Sequence, residues 1–201
     1  MNNIEKIFDN DPAVFAKSYF NYLSRVLSSI DPQEVAAFVR TILDARERGA
    51  TVFFMGNGGS AATASHFAND LAIGTNSYHK PFRVLSITDN NAVMTAIAND
   101  FGYSDIFERQ LRVLGKQGDV VVGISASGNS PNLLNAFDAA KEMRIKTVAL
   151  TAFDGGQMRK VAEEGIHVPT GLKEYGPAED AHMILDHLIG AYLIQLVKRG
   201  G

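Results

Sequence analysis

Two patterns of apolar and polar positions divide the chain. In residues 1–50, Asp11-Pro12 and Asp31-Pro32 each set an N-cap residue before a proline suited to the first helical position. Behind the first, Phe15, Tyr19, Tyr22, Leu23 and Val26 recur at spacings of three and four, the apolar stripe of a helix running towards Ile30. From Thr51 the pattern changes to short apolar runs: TVFFM at 51, RVLSI at 83, DVVVGIS at 119, KTVALT at 146 and a weaker GIHVP at 165. They are apolar on both faces and separated by helix-length stretches, which predicts five strands of a parallel sheet covered on both sides. The fold class expected is a three-layer α/β/α sandwich with N-terminal helices ahead of it. A closing helix from Pro177 to about Lys198 carries an apolar band, Ala181, Ile184, Leu185, Leu188, Ile189, Tyr192 and Leu196, too broad for one sheet face. No repeat or linker interrupts residues 1–201, so one domain is expected.

Composition narrows the chemistry. At 201 residues and 46% hydrophobic side chains, one sizeable core needs no disulfide. With no cysteine, any metal must use His, carboxylate or amide ligands. A net charge of −3 from 19 basic and 22 acidic residues argues against direct nucleic-acid binding; Lys198-Arg199 is the one basic cluster at a terminus. The N-terminal MNNIEKIFDNDPAVFAK resembles neither a secretory signal nor a membrane span, making the cytoplasm the default location.

The chemistry-bearing feature is a pair of loops. Gly56-Asn57-Gly58-Gly59-Ser60 follows the first strand and opens a helix, where free N–H groups, glycine backbone and the helix dipole favour an anion. Ser125-Ala126-Ser127-Gly128-Asn129-Ser130-Pro131 does the same after the third strand. A helix cap needs one hydroxyl; three serines and an asparagine can surround the oxygens of a phosphate monoester. Gly56-x-Gly58-x-x-Ala61 also matches a dinucleotide fingerprint, but its acid should follow some 20 residues on, and Asp89 comes substantially later. No nucleotide cofactor is expected.

These loops, GNGGSAA at 56 and SASGNSPN at 125, resemble those of sugar-isomerase (SIS) domains. With His66-Phe67-Ala68, TAIANDFGYSDIF at 95, LTAFDGG at 150 and a closing helix bearing His182 and His187, nearly the whole chain is similar to the phosphoheptose isomerase family. The resemblance implies a homotetramer with the helices of residues 1–50 in its centre and active sites between subunits. It implies conversion of sedoheptulose 7-phosphate to the heptose 7-phosphate of bacterial surface-sugar precursors such as lipopolysaccharide, and zinc in some members. Asn57, Gly58, Ser60, Asp89, Ser125, Ser127 and Ser130 would bind substrate.

His66 and Asp70, spaced i, i+4 on one helix face, suit a metal or a proton relay. In the family the positions of His66, Asp70, Glu179 and His187 gather around the metal. Eight residues at ~1.5 Å rise nevertheless separate Glu179 from His187 by about 12 Å on an ideal helix, so the two need not share one ligand sphere. Aldose–ketose isomerisation needs a base and an acid, here Asp70 and His187. His182 reads as structural, and His79 and His167 have no acid partner at helical spacing. Asp70 stands where the family has Glu, Glu179 where it has Gln, and an Arg of several members is missing near Gly74. The rival from another class is a non-catalytic SIS protein, which this chain also resembles through the tetrameric initiator-associating replication regulator. Such a scaffold would not need His66, an acid at 70 and His187 together.

Overall fold

The computed structural model describes residues 2–200. Three helices precede the sheet: α1 (Asn3–Ile7), α2 (Pro12–Ser28) and α3 (Pro32–Arg48). Asp11 and Asp31 act as N-caps, each accepting a hydrogen bond at 2.8 Å, from the N–H of Ala13 and of Gln33. The short α1 was not anticipated; a reciprocal capping box between Asn2 and Glu5 starts it.

The five expected strands are β1 (Thr51–Gly56), β2 (Arg83–Ser86), β3 (Val120–Ser125), β4 (Lys146–Ala152) and β5 (Glu164–Val168), all parallel in the order β2-β1-β3-β4-β5. Helix α4 (Gly59–Asn69) leaves β1 and passes directly into a π-helical turn, Asp70–Gly74. Helices α5 (Asn91–Asp100), α6 (Glu108–Leu114), α7 (Pro131–Glu142) and α8 (Met158–Val161) fill the later crossovers, and α9 (Tyr175–Lys198) closes the fold. It begins two residues before Pro177, the start expected from the sequence.

Alternation along the strands divides the core between the two sheet faces. Val52 and Phe54 of β1 join Phe38 of α3, Phe67 of α4 and Leu185 and Ile189 of α9. Phe53 and Met55 join Leu111 of α6, Leu133 and Phe137 of α7 and Met158 on the other face. Phe54 and Phe67 stack with ring centroids 4.7 Å apart, which fixes α4 on β1 and with it the loop between them. Helix α2 is less fully covered: Tyr22 and Val26 are buried, while Phe15, Tyr19 and Leu23 are half-buried and Phe20 is exposed.

Candidate active site

The strand order reverses between β1 and β3, and open parallel sheets of this kind bind ligands outside the carboxyl ends of the strands at such a point. Both Gly/Ser loops leave the sheet there, because Gly56 at the end of β1 lies in register with Ile124 of β3. Asn57, Ser60, Ser125, Ser127, Ser130, Tyr175 and Glu179 line a cavity of about 140 Å³. At about 30 Å³ per water this is room for four or five waters, enough for a phosphate head but not for a whole sugar. No Lys or Arg lines it; Ser60 at the second position of α4, Ser130 at the N-cap of α7 and Tyr175 at the first position of α9 do, bringing three helix N-termini to one cavity.

Hydrogen bonding separates the free donors from the engaged ones. Neither the Ser60 nor the Ser130 hydroxyl has a partner among the described residues, and Ser130 holds the N-cap position of α7 without capping it. The Ser125 and Ser127 hydroxyls accept from the N–H groups of Gly128 (3.1 Å) and Asn129 (3.3 Å), which leaves their own protons to donate. The Asn57 side chain is held by paired bonds with Asn132 (3.0 and 2.8 Å) and by the Tyr103 hydroxyl (2.9 Å). Asn132 and Tyr103 were not singled out in the sequence; Tyr103 lies inside the TAIANDFGYSDIF segment that carried part of the resemblance. The serine loop is braced from the segment after β4, where Met158 N–H donates to the Gly128 carbonyl at 2.9 Å and Gln157 N–H to Asn129 Oδ1 at 3.0 Å. Gly58 has φ +54°, a backbone state that favours glycine. Asp89 is outside the cavity lining; it accepts hydrogen bonds from Ser65 of α4 and from Thr88.

Helices α4 and α9 run side by side in the same direction: Gly59 faces Glu179, His66 faces His187, and Asp70 faces Gly190. This arrangement splits the four residues expected around a metal. The Glu179 carboxylate occupies the space a Cβ on residue 59 would fill, at the phosphate-sized cavity, two turns of α9 away from His187. Burial, with Asp180 nearby, raises its pKa above the ordinary carboxylate value. The group that does converge is His66, Asp70, His187 and Asp186, whose ligand atoms all lie within 4.8 Å of one another. His66 Nε2 is 3.3 Å from His187 Nε2, 3.5 Å from Asp70 Oδ2 and 3.8 Å from Asp186 Oδ2. Two imidazoles and two carboxylates suit zinc or a similar divalent ion. Burial first, then the Asp70 charge, raises the Asp186 pKa to about 7. His182 is fully buried, 3.5 Å from the Thr151 carbonyl, and burial lowers its pKa to about 4; it faces the core rather than either site.

A doubly wound parallel sheet with serine-lined turns at its switch point defines a ligand-binding α/β protein, and the SIS domain model matches residues 18–152. A probable phosphoheptose isomerase of Thermoplasma acidophilum is 36% identical over 178 residues, covering 89% of this chain and 97% of that protein. The phosphoheptose isomerase of Akkermansia muciniphila is 38% identical over 167 residues, covering 83% and 85%. Among solved structures, the phosphoheptose isomerase of Neisseria gonorrhoeae aligns with a TM-score of 0.80 at 29% identity, over 89% of this chain and 96% of that one. The chain belongs to the phosphoheptose isomerase family of SIS-domain proteins. Among the described residues no helix is long and apolar enough to cross a membrane.

Proposed function

We propose that the protein is an aldose–ketose isomerase that interconverts sedoheptulose 7-phosphate and D-glycero-D-manno-heptose 7-phosphate. The observation that carries this reading is a spacing. On α4, Ser60 at the phosphate-sized cavity and His66 at the His/Asp group are six residues apart, about 9 Å of helix at ~1.5 Å per residue. In an open-chain heptose, five zig-zag C–C bonds of about 1.5 Å plus the ester linkage span roughly 9 Å from phosphorus to C2. A phosphate in the cavity would therefore bring C1 and C2 to His66, Asp70 and His187.

In this reading Ser60, Ser125, Ser127 and Ser130 donate to the phosphate oxygens, and Asn57 and Gly58 shape the loop around it. Asp70 takes the proton from C1 of the ketose while His187 gives a proton to the C2 carbonyl oxygen, forming the enediol. Asp70 then returns its proton to C2 as His187 takes the one from the C1 hydroxyl, which leaves the aldehyde and restores both side chains. His66, Asp70 and His187 would also hold a zinc ion. When bound, such an ion would supply positive charge for the developing oxyanion, with His66, Asp70 and His187 holding it and Asp70 keeping its role as base.

The subunits are proposed to form a cytoplasmic homotetramer, supported by Phe8 after α1, Val14 and Phe20 on α2 and Leu188 and Tyr192 on α9, all large, apolar and exposed in the single chain. The product would enter bacterial surface-sugar precursors such as those of lipopolysaccharide. The test is incubation with sedoheptulose 7-phosphate while the anomeric signals are followed by NMR. New aldose signals are expected; an unchanged spectrum would move the non-catalytic regulator reading to first place.

A further inference from the structure

Asp186 has no role in the mechanism above, yet its position is the least comfortable of any acid in the chain. It lies on α9 with 0% exposure, and neither carboxylate oxygen has a hydrogen-bond partner. A buried carboxylate normally pairs with a cation or with several donors, because the charge loses its hydration. The group nearest to hand is His66, whose Nε2 is 3.8 Å from Oδ2, outside hydrogen-bond range.

The surrounding geometry explains the missing partner. Tetrahedral ligands at the usual Zn–N length of about 2.0–2.1 Å stand about 3.3–3.4 Å from each other along a tetrahedron edge. The two imidazole Nε2 atoms are 3.3 Å apart, and the Asp70 and Asp186 oxygens lie 3.5 and 3.8 Å from His66 Nε2. The widest separation in the group stays within 4.8 Å, so a small contraction encloses one ion. The ligands come in two pairs, His66 on α4 with Asp70 one turn on at the start of the π-helical turn, and Asp186 and His187 as neighbours on α9. Glu179 of the same chain cannot join without leaving the cavity wall at Gly59 two turns away.

We infer that Asp186 is a ligand of a divalent transition-metal site made by His66, Asp70, Asp186 and His187 of one chain, and that Glu179 serves the phosphate cavity instead. This deepens the isomerase reading and rests on it only for placing substrate beside the ion; the ion itself is tested without substrate. The full-length protein is stripped with a chelator and titrated with Co²⁺ and Zn²⁺. The readouts are the cobalt d–d absorption, bound zinc per chain, and the zinc-induced rise in Tm.

The parent protein is expected to take up one ion per chain with a tetrahedral cobalt spectrum. Asp186→Asn keeps the shape but removes the charge. It should weaken binding at least ten- to a hundredfold, since losing even an outer-shell partner has that effect, and should shrink the zinc-induced Tm rise. Its ion-free Tm should stay close to the parent's, because the carboxyl has no hydrogen-bond partner to lose; Asp186→Leu is the second variant should the amide misfold. Glu179→Gln should bind the ion like the parent. Parent-like affinity and spectrum in Asp186→Asn, an equal loss in Glu179→Gln, or no uptake by the parent would each overturn the inference. Intact ion binding without turnover would instead sink the isomerase reading and leave this one standing.

Discussion

Ser130→Ala is the sharpest probe of the phosphate cavity, because the structure separates the two jobs its hydroxyl could do. A serine at an N-cap usually stabilises the helix, and its removal then costs about 0.5–2 kcal/mol. Here the Ser130 hydroxyl caps nothing and has no partner among the described residues, while the helix start is secured by Pro131 at the first helical position. Removing it should leave the fold alone. For a protein of this size 1 kcal/mol shifts Tm by roughly 2–4 °C, so a change below about 2 °C is expected. Binding should respond differently. A hydrogen bond to a charged oxygen contributes about 1.5–3 kcal/mol, which at 1.4 kcal/mol per tenfold raises Kd for the phosphosugar roughly 10- to 150-fold. Calorimetry of parent and variant with sedoheptulose 7-phosphate and with unphosphorylated sedoheptulose measures this directly. A lowered Tm with unchanged affinity would mean that Ser130 is a cap after all, and equal binding of the two sugars by the parent would remove the phosphate site altogether.

Asp70→Asn should leave phosphosugar affinity near the parent's and lower turnover by about 10²–10⁴, as for loss of a positioned base; unchanged turnover in the NMR assay would refute its assignment. The His182 contribution to stability should fall on mild acidification, because the unfolded chain protonates it near pH 6.5 while the folded one resists until about pH 4. The raised pKa of Asp186 acts in the opposite direction over this range, so the two must be separated by mutation. From pH 6.5 to 5 the His182 part amounts to roughly 1.6 kcal/mol, and chemical denaturation across that range should show the parent losing about that much stability relative to His182→Gln. Light scattering should give a tetramer at micromolar concentration, and a monodisperse monomer would contradict the assembly proposed from Phe8, Phe20 and Tyr192.

The parts legible in the sequence are those with a local cause. Strands β1, β3 and β4 each centre on a short apolar run, Asp11-Pro12 and Asp31-Pro32 write the helix starts directly, and the Gly/Ser loops sit where strand hands over to helix. What stayed hidden depends on partners far away in the chain. His66 and Asp186 are brought together only by the side-by-side course of α4 and α9. The signal for Asp186 was present as an acid flanked by Leu185, Leu188 and Ile189 in an otherwise apolar band, next to a histidine. Helical rise already argued that Glu179 and His187 need not meet. It could not tell which of the two would join His66, since that is decided by the packing of Gly59 against α9. The pairing of Asn57 with Asn132 was illegible for the same reason, each amide being unremarkable until β1 and β3 lie side by side.

The convergence of α4, α7 and α9 on the cavity has a consequence for how the site would evolve and be mapped. With no Lys or Arg in the lining, the positive field there comes from main-chain N–H groups at three helix starts, set against the Glu179 carboxylate. Such a field belongs to the topology and not to any one codon. Replacing the serines one at a time removes oriented donors but leaves the field, so alanine scanning would always understate what holds the anion. Lineages descending from such a protein could exchange the sugar-facing residues freely and still inherit an appetite for phosphate, because losing it would require dismantling the strand–helix junctions that make the fold.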